Sequence, residues 1–434
     1  MAEVRADGRM RRALRAVALD VGLLRRRREF RLLTLGQFVS MCGAQMTFVA
    51  LPVQCYALTH STLAVGLLGV AEFIPILLLA LVGGALADAF DRRRLIALAE
   101  IGALIVALGL VANALLDHPA AWALFVAAAL SAACDALRRP PLDALEPRLV
   151  ARDELKAAFA VKSALWNLAA LGGPALAGLL IVAAGYAATY AVDAASFVVA
   201  LGTLAVIRTP PPPADAEPPS VRSVVAGVRY AASRPELIGT YAVDMTAMFF
   251  GMPLAVFPAL ATRLGDPAVV GLLYAAPAAG AVIASLTSGW SARVHHHGRA
   301  VVLAAIGWGV AIAAFGLSGA LWVALAFLAL AGAADEISGL FRGVIWNETI
   351  PDALRGRLAG VEMLSWASGP TLGTAEAGAA ASLVGLRASV VAGGVLCVAG
   401  SGAIAAALPA FWRYDARTFT APPPSPARVT PAPL

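Results

Sequence analysis

The stretch Gly83-Gly84-Ala85-Leu86-Ala87-Asp88-Ala89-Phe90-Asp91-Arg92-Arg93-Arg94-Leu95 decides how the rest of the chain is read. Long apolar runs enter and leave it, and between them two aspartates and three arginines crowd into one short turn. Glycine lets backbones approach closely, and charges at that density need water or partners. A cytoplasmic hinge between two membrane helices meets both demands.

Working outward, the 434 residues are 60% apolar and 14% charged. A soluble protein of this length carries about 25% charged residues, so the chain reads as a membrane protein. Twelve apolar runs come close to or exceed the roughly 20 residues that cross a bilayer. In the first half they fall near 32–57, 63–87, 95–116, 121–137, 163–184 and 187–207. In the second half they fall near 237–261, 269–292, 300–317, 321–340, 359–383 and 389–411. This gives an all-α fold: a basic segment 1–31, a six-helix bundle 32–207, a linker 208–236, a second bundle 237–411 and a tail 412–434. The linker opens with Thr209-Pro210-Pro211-Pro212-Pro213, which is stiff and hydrated. Val221, Val224, Val225 and Val228 then recur at helical spacing, as expected of an amphipathic helix on the membrane face. The Pro-rich tail is expected to be disordered. The basic N-terminus leads into a run long enough to stay as the first span rather than be cleaved.

Orientation follows from the basic residues. Of the 33 Lys and Arg residues, only Arg263 and Arg387 fall outside the segments that a cytoplasmic N-terminus would place inside. That bias predicts a multi-pass inner-membrane protein with both termini in the cytoplasm. It also accounts for the net charge of +6 without nucleic acid as a partner. Cys42, Cys55, Cys134 and Cys397 all lie in apolar runs and read as packing residues. Neither a phosphate-binding glycine loop nor a nucleophile constellation stands out, so no enzyme activity and no cofactor are expected. His295-His296-His297 sits in a short basic loop and reads as a solvated part of the hinge, not as a metal site.

The halves echo one another about 200 residues apart. Val65-Gly66-Leu67-Leu68 matches Val270-Gly271-Leu272-Leu273, and Ala129 to Asp135 matches Ala329 to Asp335. Gly173-Pro174 matches Gly369-Pro370. Six spans repeated in parallel describe two bundles about an axis along the membrane normal, with a cavity between them near the midplane.

With these residues in view, the chain resembles the major facilitator superfamily along its whole length. Gly84-Ala85-Leu86-Ala87-Asp88-Ala89-Phe90-Asp91-Arg92-Arg93 is similar to that superfamily's signature loop between helices 2 and 3. Ala89 stands where a basic residue is usual, and Asp91 where glycine is usual. Leu272 to Pro277, Leu286 to Trp290, Gly339 to Arg342 and Ile350 to Leu358 resemble the enterobactin-exporter branch, a neighbour of the macrolide-efflux proteins. The resemblance implies a monomeric secondary transporter that exports a medium-sized organic molecule, a siderophore or related metabolite, by alternating access with proton antiport. A multidrug or macrolide pump, a solute importer and a non-transporting receptor or scaffold are the alternatives. It further implies a gate at Gly84 whose contacts exist only when the inner mouth is closed: Asp88 facing the positive end of span 11 near Ala359 and Arg92 paired with Asp135, the other reading being that Asp135 pairs with nearby Arg138. By the repeat, Arg293 takes the place of Asp88 and Asp335 that of Asp135, so an Arg293–Asp335 contact is expected.

Acids inside spans are candidates for proton coupling. Glu72 and Asp244 read as lone carboxylates near mid-depth, with Asp335 third. The family's cavity-lining helices 1, 4, 7 and 10 add weight to Asp244 and Asp335. Asp193, Glu100, Glu336, Glu362 and Glu376 lie nearer span ends or on helices that are peripheral in the family, and are weaker candidates. Gln37, Ser40, Gln45, Thr47 and Gln54 give span 1 the look of a wet face. Gln37 and Gln45, with aromatic surface from Tyr241, Phe249 and Trp166, are the expected substrate cavity. Gly173-Pro174 and Gly369-Pro370 are expected bending points.

Overall fold

A computed structural model describes residues 22–89, 91–207, 229–263 and 268–417, of which 80–89 and 352–367 are described as backbone alone. The apolar runs are helices, as lipid requires of backbone groups that can bond only internally. The first half holds α1 (Arg28–Thr59), α2 (Thr62–Ala89), α3 (Arg92–Ala114) and α4 (Ala121–Leu145). One helical run, Leu155–Val206, is broken at Gly185 into α5 (155–184) and α6 (186–206). The second half begins with α7 (Pro235–Phe250), prolonged by a 3₁₀ turn, Leu254–Val256, and a short helix, Phe257–Arg263. It continues with α8 (Val269–Leu286), α9 (His297–Leu317), α10 (Leu321–Thr349), α11 (Asp352–Val384) and α12 (Leu386–Ala407). The result is the expected twelve-helix fold of two six-helix bundles. Hydropathy alone cuts several helices short: α4 runs on to Leu145, α5 starts at Leu155 and α10 reaches Thr349.

Within the first half, α1 packs on the α5–α6 run, α2 on α4, and α3 on both α4 and the α5–α6 run. In the second, α9 packs on α10 and α12, α8 on α10, and α7 on α11 and α12. Gly185 (φ 81°) and Gly385 (φ 87°) turn α5 into α6 and α11 into α12 without an intervening loop. Both sit in the left-handed region that only glycine enters without cost. They are the same position of the repeat.

The halves meet through α2 against α11 and α5 against α8. The repeat glycines mark both crossings. A Cβ at Gly66 would lie 3.0 Å from the Gly378 Cα, and one at Gly271 would lie 2.6 Å from the Pro174 carbonyl oxygen. Thr62 Oγ1 donates to the Gly378 carbonyl at 3.2 Å. Bare backbones at such crossings gain van der Waals contact that side chains would block. Nearby, Tyr274 takes the edges of Phe48 and Phe257, with centroids 5.7 and 5.0 Å away. These contacts join the two halves at the arginine-poor end of the molecule. Part-way along α4 and α10 toward the other, basic end, the side chains of Asp135 and Asp335 stay 54% and 41% exposed.

The basic end of the first half is tied by the hinge. Asp91 accepts the backbone N–H groups of Arg93 (2.9 Å) and Arg94 (3.3 Å), capping α3. This explains a carboxylate at that position of the loop, since an N-cap oxygen satisfies amides the helix leaves unpaired. Arg92 Nη1 donates to the Ala144 carbonyl at 3.3 Å and Arg93 Nη2 to the Ala205 carbonyl at 2.5 Å. Two arginines therefore cap the C-terminal turns of α4 and α6, where the helix dipole favours positive charge.

Two expectations need correction here. Residues 412–417 of the tail are docked: Phe411 and Tyr414 are buried, Tyr414 Oη donates to Glu348 at 2.7 Å, and the Ala416 N–H donates to the His295 carbonyl at 3.0 Å. The aromatic pair supplies the burial that the Pro-rich composition farther on lacks. Hydrogen bonds from Arg417 hold the Asp415 carboxyl down to about 2. His297 is not solvated but buried, its Nε2 3.1 Å from the Val294 carbonyl and its ring beside Phe341. Pro174 and Pro370 lie inside α5 and α11, where they stay candidate bending points, and the sharp reversals fall at Gly185 and Gly385. Gly173 and Gly369 admit neighbours: Gln45 of α1 against the first, Met248 of α7 against the second. The linker helix expected at Val221 to Val228 lies outside the described residues, as do 1–21 and 418–434.

Candidate functional site

In each half one arginine gathers two carboxylates. In the second half, Arg342 of α10 pairs with Asp244 of α7 through Nη1 and reaches Asp335 of its own helix through Nη2 at 3.4 Å. Asp244 and Arg342 are both buried. Burying a charge is costly unless it is paired, and this pair meets that condition across two helices. Asp335 carries the cluster to the exposed side. Asp244 is therefore not the lone carboxylate expected, because a guanidinium seven residues beyond Asp335 reaches back to it. Asp335 pairs with Arg342, not with Arg293, which ends the 3₁₀ turn Ser288–Arg293.

In the first half, Arg138 of α4 donates through Nη2 to Asp135 at 2.6 Å. Its Nη1 donates to Gln37 Oε1 at 2.7 Å and to Glu100 Oε1 at 3.3 Å. Glu100 of α3 is fully buried, and it also accepts from Gln37 Nε2 (3.0 Å) and Ser40 Oγ (3.3 Å). Arg92 and Asp135 are not paired here, and the resemblance implies that contact only for a closed inner gate. An arginine one turn along the same helix reaches the carboxylate first, while Arg92 is turned to the end of α4. Gly84 and Asp88 of the hinge, and Ala359 at the start of α11, lie outside the described side chains.

The polar residues of α1 also face differently from the expectation. Ser40, Thr47 and Gln54 are buried against α3 and α6, not turned to a wet face. Thr47 Oγ1 donates to Asp193 Oδ2 at 2.5 Å, and Tyr190 Oη donates to Gln54 Oε1 at 2.8 Å. Asp193 is likewise buried. Of the expected cavity residues, Gln37 belongs to the Arg138 cluster and Gln45 packs on Gly173. Tyr241 stacks on Trp346 at 5.6 Å, and Phe249 meets Phe250 edge-on at 4.9 Å. Trp166 is half-exposed under the guanidinium of Arg139, 5.6 Å from its ring. Glu72 lies one turn along α2 from the Gly69–Thr371 contact and acts electrostatically on Tyr274 of the opposite half. Sequence reading gave Arg342 no role, took Arg138 only as the alternative partner of Asp135, and ranked Glu100 and Asp193 low. The available signal was that an arginine deep in an apolar run demands a buried acid.

The family described as Transmembrane secretion effector matches residues 24–427, nearly the whole described chain. The chain belongs to that family, within the major facilitator superfamily. Among curated relatives, the Enterobactin exporter EntS of Citrobacter koseri is 32% identical over 415 residues, covering 94% of this chain and 97% of its own. The protein of the same name from Escherichia coli O1:K1 / APEC is 32% identical over 382 residues, covering 87% and 91%. Among solved structures, a variant of the nucleoside transporter NupG superposes with a TM-score of 0.71 at 13% identity, covering 87% of this chain and 99% of its own. A bacterial homologue of the human lysosomal transporter Spinster gives 0.70 at 16% identity, covering 89% and 98%. At those identities the structures speak for the fold alone. The family and the curated relatives make this chain a multi-pass membrane transporter and not an enzyme.

Proposed function

We propose that this transporter exports a siderophore-type metabolite by alternating access, exchanging it for protons. The observation that carries the substrate class is the 32% identity to enterobactin exporters across almost the whole of both chains. The arginine bias supports a cytoplasmic basic end, with both termini on that side. On that reading the molecule rests with its cytoplasmic mouth open and its outer end sealed by the α2–α11 and α5–α8 crossings. Cargo enters past Asp135 and Asp335, which hold the cluster arginines at the mouth. Rocking about the crossings then closes the mouth and opens the outer end.

Proton coupling is assigned to the carboxylates that share one guanidinium. When Asp335 takes a proton, its tie to Arg342 weakens while the Asp244 pair remains, and α10 loses one of its internal ties. Glu72, next to the sealed crossing and close to Tyr274 of the other half, is positioned to register the same event from α2. Expression of the chain in a strain lacking its own enterobactin exporter tests the proposal. Enterobactin is expected to return to the medium. Continued retention inside cells that make correctly inserted protein would overturn it.

A further inference from the structure

The gating and coupling residues leave one basic-end surface of the first half unused. There a short helical strap, Gly22–Arg26, precedes α1 and lies against the entry to α5. Leu23 anchors it. Its side chain is fully buried in a cluster with Phe30 of α1 and Ala158 of α5, and Leu149 and Val150 pack against them. A single carboxylate fastens the charged part of the strap. Glu154, which ends the 3₁₀ turn Arg152–Glu154, accepts from Arg27 Nε at 2.8 Å and from the Ala151 N–H at 3.1 Å, with Arg26 Nε 3.9 Å away.

That fastening gathers cations from two distant parts of the chain. Residues 22–31 and 148–156 together carry eight Lys and Arg against three Asp and Glu. Of the three acids, Glu154 is engaged by the strap and Glu29 by Arg28. Arg25, Arg152 and Lys156 are exposed and meet no carboxylate among the described residues. Cations gathered in this way repel one another unless an anion lies among them. Beside them α5 presents apolar surface. Phe159 is 74% exposed and lies one turn along the helix from Lys156 and from the 38% exposed Leu155. An aromatic ring next to a lysine at the start of a span suits a bilayer interface, with the ring toward acyl chains and the cation toward headgroups. A soluble anion would answer the charge and leave the ring uncovered. The equivalent connection of the second half, 348–357, is balanced, with Arg355 and Arg357 against Glu348 and Asp352. Topology asks for positive charge at this end of both halves, so it does not account for a surplus gathered at one connection only.

We propose that the strap and the entry to α5 form a binding surface for an anionic phospholipid of the leaflet at the basic end. Arg25, Arg152 and Lys156 meet the phosphate, and the acyl chains lie along Leu155 and Phe159. A headgroup held there supplies the counter-charge that the local acids lack. It also adds a tie between two segments otherwise joined by one carboxylate and the Leu23 contact. The surface depends neither on the cargo nor on proton coupling.

The test titrates the full chain in detergent with fluorescent phosphatidylglycerol and, in parallel, fluorescent phosphatidylcholine. Phosphatidylglycerol is expected to bind the more tightly, by at least about tenfold. Combining Arg25→Gln, Arg152→Gln and Lys156→Gln is expected to remove that preference. The loss is roughly a hundredfold, since each basic residue near an anionic surface contributes about fivefold. A second triple variant, Arg229→Gln, Arg234→Gln and Arg413→Gln, removes the same charge from the basic end of the second half. It is expected to change binding by less than about twofold, because salt screens charges beyond about 10 Å. Phe159→Ser is expected to weaken phosphatidylglycerol binding severalfold with the charges intact. Equal binding of the two lipids, or equal losses in the two triple variants, would overturn the proposal. Displacement of the lipid by millimolar glycerol 3-phosphate would assign the surface to a soluble anion and overturn it as well. If the first triple variant melts below the unaltered protein, the salt dependence of the unaltered protein decides. Phosphatidylglycerol binding is expected to fall steeply as salt rises, and binding indifferent to salt would contradict the proposal.

Discussion

The two halves use one arginine each, yet they spend it differently. In the first half Arg138 is shared by Glu100, Asp135 and Gln37, and Glu100 has two further donors. In the second, Asp244 depends on Arg342 alone among the described residues, and Asp335 lies at a longer 3.4 Å. The arginines are also displaced by about one helical turn relative to the repeated aspartates, three residues past Asp135 but seven past Asp335. As a result the first cluster ties α4 to α1 and α3, whereas the second ties α10 to α7. A fold built by duplication thus keeps a charge near the mouth of each half while rewiring what it holds. The lesson is that repeat symmetry fixes the depth of a charged group more firmly than its partner.

The largest expected effect breaks the pair with the fewest substitutes. Arg342→Ala leaves Asp244 buried and unpaired, a loss of about 3–5 kcal/mol. Arg138→Ala is expected to cost about 1–3 kcal/mol, because Gln37 and Ser40 still serve Glu100. Denaturant unfolding of both variants in detergent checks the order, and a reversed order would break the comparison.

Next in size are the crossing glycines. Gly271→Val drives a side chain into the Pro174 carbonyl, and Gly66→Val meets Gly378 slightly farther away. Each overpacks a close contact at about 1–3 kcal/mol, with Gly271→Val the more severe. Both variants should raise labelling of cysteines at the arginine-poor end, since the sealed state is the one disfavoured. The turn glycines follow: Gly185→Ala and Gly385→Ala each force a left-handed backbone on alanine, at about 1–2 kcal/mol. Here the halves should match, and thermal melts that differ strongly between the two would show that the turns are not equivalent. Smallest are the half-exposed acids. Asp135→Asn and Asp335→Asn should each change stability by less than about 1 kcal/mol. Their effect is expected in the pH profile of transport instead, with little change in the melt.

Much of the architecture was legible from the chain. Apolar length gave the spans, since a bilayer demands a nearly fixed number of helical residues, and the repeat placed Gly66 on Gly271, the two residues at which the halves cross. What stayed hidden was facing. Hydropathy says that Ser40 and Thr47 lie inside a span but not whether they turn to water or to α3 and α6. Pairings such as Glu100 with Arg138 or Thr47 with Asp193 join residues distant in sequence, so spacing carries no trace of them. The local Asp135–Arg138 contact was readable in principle, being a neighbouring pair on one helix face. It holds Asp135 while Arg92 is turned to the end of α4. Likewise Asp91 looked like a departure from the signature loop until its role as the cap of α3 was visible.

The central claim is that the halves rock as bodies, one end sealing as the other opens. Paired spin labels in lipid nanodiscs test it most directly, in a background with the four native cysteines replaced. One pair, Ser61→Cys with Ser382→Cys, spans the arginine-poor end, and the other, Pro147→Cys with Asn347→Cys, spans the basic mouth. With saturating enterobactin and a change of pH, the first distance is expected to lengthen while the second shortens, in equal proportions of the population. Two distances that stay fixed under every condition, or that lengthen together, would contradict the account.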